Sequence, residues 1–179
     1  MAIRLEHVFT IHMMLGLRQK YGPVVDGGQR GFVTAAGGKI EGPRLQGRVV
    51  ENSGGDWAHY RTDGVVAFNA SYMLETEDGT LIHMTNRGFR HAPPEIAKKM
   101  EALEPVPAGS YYMRVNPAFE CPVGPHDWLT RTVIVGEGER HADHTVAFEH
   151  RPADDVGDGP VGNDHAPFDR LPVHSAATS

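Results

Sequence analysis

Val65-Val66-Ala67-Phe68-Asn69-Ala70-Ser71-Tyr72-Met73-Leu74 is followed by Thr76-Glu77-Asp78-Gly79 and then by Thr80-Leu81-Ile82-His83-Met84-Thr85-Asn86. The two runs read as strands, and the Asp-Gly step between them favours the positive φ of a tight turn. The stretch is a predicted β-hairpin. Outward from it, further strands are predicted at Ile3 to His12, Arg30 to Ala35, Pro43 to Glu51, Ser110 to Asn116, Trp128 to Gly136 and Asp143 to Arg151. Twenty-one glycines and thirteen prolines divide the chain into these short segments. Such punctuation is that of an all-β domain, a barrel or a sandwich.

One segment departs from the pattern. Pro94 to Leu103 carries a proline and an acid in its first turn, and Ile96, Met100 and Leu103 recur at helical spacing. A short helix is predicted there, lying across the barrel as a plug, a lid or an oligomer contact. The last segment, 152–179, is rich in Asp, Gly, Pro, Ala and Ser and holds too few large apolar residues to fold alone. The chain therefore divides into a β-barrel domain, 1–151, and an extended C-terminal tail, 152–179. The tail is expected to wrap over its own barrel or a neighbouring subunit through Phe168 and Leu171.

A length of 179 residues is enough for one domain with a real core. A formal charge of -6 argues against nucleic acid, which requires a basic footprint. No apolar run reaches the length of a membrane span, and the N-terminus lacks the basic-then-apolar order of a signal peptide. Cys121, the single cysteine, excludes an internal disulfide framework and fits a cytoplasmic setting. It stands beside Pro122 with no evident base, so packing is the expected role.

Gly54-Gly55-Asp56-Trp57-Ala58-His59-Tyr60-Arg61-Thr62-Asp63-Gly64 concentrates two carboxylates, an arginine and a tryptophan between glycines. The pattern suits a preformed polar pocket and equally a well-capped turn. Together with Gly37 to Gly47, Glu77-Asp78-Gly79, Asn86-Arg87-Gly88, Tyr111 to Arg114, Phe119-Glu120 and Trp128-Leu129, the motif resembles the DUF3237 family, also called UPF0311. The likeness runs over residues 1–150; the chain departs from it at Thr130, where the family often has Asn, and in its long tail. The resemblance implies a single antiparallel β-barrel of lipocalin-like shape, in a homo-oligomer of two or more chains. It further implies lyase or decarboxylase steps on small aromatic compounds, as connected with a few relatives.

A barrel of about eight strands holds one small ligand. Arg61, Asp63, Arg114 and Glu120 are the candidate catalytic set, and Trp57, Tyr72, Tyr112 and Trp128 the candidate substrate-binding walls. Arginines suit the capture of a carboxylate or phenolate, and a desolvated carboxylate suits proton transfer. Arg61 and Asp63 are in phase with Val65, Ala67, Asn69, Ser71 and Met73 on the strand that follows, and Tyr112 and Arg114 share one face of theirs. The same four charged residues would also serve as ion pairs that pin barrel ends. Eleven histidines include the cluster His141, Asp143 and His144, with His150 beyond, and His83 as a candidate acid or base. No helical His spacing and no thiolate set accompany them, so neither metal nor cofactor is expected. No nucleophile elbow or phosphate-binding glycine loop occurs. The reading is a cofactor-independent lyase on a small aromatic or phenolic compound. A non-catalytic small-molecule binding protein, or an isomerase or cyclase using the same groups, is the alternative.

Overall fold

The computed structural model describes residues 3–141 and 145–155. The predicted hairpin is present as β6, Val66–Thr76, and β7, Leu81–His91, paired from Glu75 opposite Leu81 to Val66 opposite Arg90. Around it lie β1 (Ile3–Leu5), β2 (Phe9–Tyr21), β3 (Gln29–Glu41), β4 (Gly47–Val49) and β5 (Gly55–Tyr60). Beyond it lie β8 (Tyr112–Glu120), β9 (Ile134–Arg140) and β10 (Thr145–Asp155). All pairings are antiparallel, and they return on themselves. β2 pairs β3, β3 pairs β4 and β5, and both of these pair β6. The series continues through β7, β8, β9 and β10, and β10 pairs β2 again. The class is all-β, as expected. No helix among the described residues is long and apolar enough to cross a membrane.

Several local expectations change. Gly55–Tyr60, inside the glycine-bounded motif, is itself a strand, and only the segment after it turns, with the Arg61 N–H donating to Val65 O at 2.9 Å. Trp128 lies in a 3-10 turn, Asp127–Arg131, and β9 begins only at Ile134. β10 continues to Asp155, where it pairs β1, so the first four residues assigned to the tail belong to the barrel. Phe168, Leu171, Asp143 and His144 lie outside the described residues.

The period-two pattern sets what is inside. On β6 and β7, Leu74, Ile82 and Met84 are fully buried and meet Phe9, Ile11, Ile40 and Ile134 in one core. Each such side chain contributes roughly 1.5–3 kcal/mol by leaving water. The 3-10 turn closes this end, with Leu129 buried and the Arg44 guanidinium 3.8 Å above the Trp128 ring. At the opposite end the helix α1, Pro94–Glu101, follows directly from β7. Met100 is buried as its spacing predicted, but Leu103 turns out at φ 61 and is 43% exposed, because the helix has ended at Ala102.

The hairpin turn rests on Asp78. Its carboxylate accepts from the Thr76 hydroxyl, from Thr80 N–H at 3.1 Å and from His126 Nε2 at 3.1 Å. Those bonds, Thr76 foremost, hold the Asp78 carboxyl well below the usual carboxylate range. A group held down in this way stabilises the fold above its ordinary value and loses that contribution as pH falls through the folded value. Asp78→Ala is therefore expected to melt lower than the wild type at pH 7, with the gap closing in acid. Thermal melts at several pH values check this, and a gap unchanged in acid would contradict it.

Candidate functional site

The barrel is packed at the 3-10 end and hollow at the α1 end, where a cavity of about 140 Å³ lies, partly open to solvent. The strand period that buries Leu74 and Ile82 also decides its lining. β5 turns Asp56, Ala58 and Tyr60 inward, β6 turns Val66, Phe68, Ala70 and Tyr72, β7 turns Asn86 and Arg90, and β8 turns Met113 and Val115. β9 ends with Arg140 in phase with Ile134. β2 presents Met13 and Leu15, then shifts register against β3 between Leu15 and Arg18. That irregularity re-aims the strand so that Arg18, of opposite parity, also lines the cavity.

The walls are mainly apolar, and the polar groups fall into two sets. In register across β5, β6 and β7, Asp56 stands opposite Ala70, and Ala70 opposite Asn86. Tyr72 is one inward position deeper. Asp56 Oδ1 accepts the Asn69 N–H at 2.8 Å. Burial pushes its carboxyl up to about 6, against the opposing pull of the Asn69 N–H and the charge of Arg90. Burial also pushes the Tyr72 hydroxyl well above its ordinary value; the Asn86 amide pulls it down and the Asp56 charge pushes it further up. Tyr72 therefore stays neutral, a donor as well as an acceptor. Asn86 is 3% exposed, and its Oδ1 is the one buried side-chain polar atom among the described residues with no hydrogen-bond partner. Leaving such an atom unmatched costs about 1–3 kcal/mol, so it is a natural contact for a ligand donor.

The second set lies toward α1. Tyr60 opposes Val66, and Val66 opposes Arg90, on the level nearer the helix. Arg90 has no carboxylate within 4.0 Å among the described residues, and neither do Arg18 and Arg140. Burial lowers the Arg90 pKa, which the neighbouring Tyr60, Tyr111, Glu101 and Asp56 oppose. Arg140 is lowered by burial and by the charges of Arg18 and Arg90. It donates from Nη1 to Met100 O in the last turn of α1 at 2.7 Å, and its backbone N–H donates to Tyr111 Oη at 2.7 Å.

Of the residues expected from the sequence, Tyr72 lines this cavity and the other seven do not. Arg61 and Asp63 pair with each other across the β5–β6 turn, with side chains 44% and 48% exposed. Asp63 also accepts the Val65 N–H at 3.2 Å, which, ahead of Arg61, holds its carboxyl low. The phase they share with Asn69 and Ser71 is the outward one. Arg114 is likewise on the outer face of β8, because Met113 and Val115 take the inner one. It bonds Glu137 at 2.9 Å and lies 5.2 Å from the Tyr112 ring centre. Glu120 is 85% exposed and 3.8 Å from His83 Nδ1, while His83 Nε2 meets Ser71 Oγ at 2.8 Å, also outside. Trp57 packs on Phe32 at the surface, and Tyr112 stacks on His91. Trp128 belongs to the closed end. Cys121 packs against the core, its Sγ 3.4 Å from His126 O.

Asp56, Asn86, Arg90, Tyr60, Arg18 and Arg140 are the lining residues that the sequence reading passed over. Asn86 and Arg90 carried a signal: they share parity with Ile82 and Met84, so they are polar positions on an apolar face. Arg18 carried none, because its direction depends on the irregularity in β2.

Comparison with known proteins places this architecture. The family model described as "Protein of unknown function (DUF3237)" matches residues 3–150. A UPF0311 protein of Rhodopseudomonas palustris (strain TIE-1) is 31% identical over 146 residues, covering 82% of this chain and 94% of its own. The crystal structure of a conserved protein of unknown function from Rhodopseudomonas palustris superposes with a TM-score of 0.78 at 29% identity, over 85% of this chain and 97% of that one. A beta-barrel like protein from Acinetobacter baumannii AYE does so with a TM-score of 0.74 at 30% identity, over 86% and 98%.

Proposed function

The chain belongs to the DUF3237 family, and on that premise we propose that its barrel is a cofactor-independent lyase, of decarboxylase or C–C bond-cleaving type. Its substrate is a small aromatic or phenolic compound held in the cavity, with Asp56 as the proton-transfer group. The observation that supports this reading is the convergence of Asp56, Asn86 and, one inward position deeper, Tyr72 in a chamber whose walls are mainly apolar. Ligand sites combine apolar walls with a few fixed polar groups in this manner.

The size fits a single ring. Engineered apolar cavities of about 150 Å³ take up benzene, and this cavity is about 140 Å³. A carboxyl with a pKa near 6 exists in both forms close to neutrality, which suits general acid–base work. In a lyase step the bond to the departing carbon breaks and its electron pair stays on the retained carbon. Protonated Asp56 delivers its proton there and is then reprotonated from solvent. Neutral Tyr72 and Asn86 Oδ1 hold a phenolic hydroxyl, keeping the ring oriented while charge spreads into it.

A panel of monocyclic phenolic mono- and dicarboxylic acids, followed by ultraviolet absorbance and CO₂ release, tests the reading. At least one member is expected to be turned over, with a limb of the pH–rate profile near 6. Binding without turnover across the panel would favour a carrier role and overturn the proposed chemistry.

A further inference from the structure

We propose that Arg18, Arg90 and Arg140 form an anion subsite at the α1 end of the barrel, which anchors a substrate carboxylate remote from the reacting carbon. This rests on the reading of the chamber given above and adds the substrate class: an aromatic acid whose anchoring carboxylate is not the group lost.

Three observations carry it. The first is convergence: three arginines from β7, β9 and β2 line one cavity of about 140 Å³, and Arg140 feels the charges of the other two. The second is the lack of a direct ion pair. None of the three has a carboxylate within 4.0 Å among the described residues. Like charges gathered and partly desolvated are unfavourable unless an anion joins them. The chain as a whole carries -6, so this cationic end is a local arrangement and not a reflection of composition. The third is positioning. The Met100 carbonyl of α1 accepts from Arg140 Nη1 at 2.7 Å, which fixes that guanidinium while its remaining donors stay available for the bidentate contact that carboxylates take.

The level separation supplies the polarity of the ligand. Tyr60 is four residues along β5 from Asp56, as Arg90 is from Asn86 along β7, a strand rise of roughly 13 Å at the backbone, which inward-reaching arginine side chains shorten. An anion at the arginines therefore places the far side of an attached ring at Asp56 and Tyr72. Arginines gripping the departing carboxylate itself would stabilise the ground state, so the anchored group is a spectator.

Calorimetric titration with benzoate, benzamide and inorganic sulfate is the test. Benzoate is expected to bind at least about tenfold more tightly than neutral benzamide, with sulfate a poor competitor. Arg90→Gln and Arg140→Gln are each expected to weaken benzoate about tenfold or more and leave benzamide unchanged, consistent with the loss of a charged hydrogen bond. Arg18→Gln, at the exposed rim, gives the same direction without risk to the fold. Asp56→Asn is expected to bind benzoate at least as well as the wild type. Equal affinity for benzoate and benzamide, arginine variants that bind benzoate normally, or sulfate competing as well as benzoate would overturn the proposal. Arginine-dependent benzoate binding with no turnover of any phenolic acid would overturn the lyase reading alone.

Discussion

Asp56→Asn is expected to abolish turnover and, at pH 7, to raise the melting temperature. The two effects share one cause. The Asp56 carboxyl titrates near 6 in the folded chain against an ordinary value of 3.8. Between those values the folded protein keeps a proton that the unfolded chain has released. Stability therefore falls as pH rises from about 4 to about 6, then stays reduced above that. Two units correspond to about 3 kcal/mol as an upper bound. The asparagine carries no charge to desolvate, keeps an oxygen for the Asn69 N–H, and nearly matches the shape. Its loss of a transferable proton should lower the rate by about 10²–10⁴. Melts of both proteins at pH 5 and pH 8 check the stability half, and the gap should widen with pH. A variant that melts below the wild type at pH 8 would mean that ionised Asp56 supports the fold. Functional groups held at a cost to stability are common in active sites.

Gly54→Ala is expected to be among the most damaging single-methyl changes at the described glycines. A Cβ at Gly54 would stand 1.9 Å from Ser71 O, 3.0 Å from Ser71 C and 3.2 Å from Tyr72 Cα. All three are backbone atoms of β6, so no flexible side chain can move aside. Gly54 O also accepts the Ala35 N–H at 3.0 Å, which ties the residue to β3 on its other side. Relief requires β5 to move off one of its partners, and β5 carries Asp56. A loss of about 4 kcal/mol or more is expected, well beyond ordinary overpacking. Gly79→Ala is the control. It sits at φ 81 with nothing within 4 Å, so only backbone strain of about 1–2 kcal/mol applies. Urea midpoints for the pair should separate widely, and similar midpoints would contradict the close-approach argument.

The hairpin, the helix and the all-β class were legible because each depends on local pattern: alternation in Val66–Thr76 and Leu81–His91, Asp78-Gly79 between them, and Pro94 with Glu95 opening a helix. The site was legible only in part. Charge density drew attention to Arg61, Asp63, Arg114 and Glu120, which lie outside because charges in number are what the solvent face of a strand tolerates. The lining was encoded in the opposite way, by single polar residues in phase with buried apolar ones: Asn86 and Arg90 with Ile82 and Met84, Tyr72 with Leu74, Asp56 with Ala58. Parity alone could not say which face of β6 was inner, since Val66, Phe68, Ala70 and Tyr72 suit a core as well as a cavity wall. Pairing across the whole ring decides that.

The irregularity in β2 has a consequence for how such barrels change over generations. Leu15 and Arg18 both line the chamber, while Leu17 is 63% exposed. A one-residue slip exchanges the two faces of a strand. Loss of one residue between Leu15 and Arg18 would restore regular pairing and keep the arginine inward, two positions on from Leu15. Regular pairing at the present length would instead bring Leu17 inside, turn Arg18 to the water and leave the rim with two cations instead of three. Keeping or losing that one irregularity at constant length is thus the small change by which this architecture could trade one kind of guest for another.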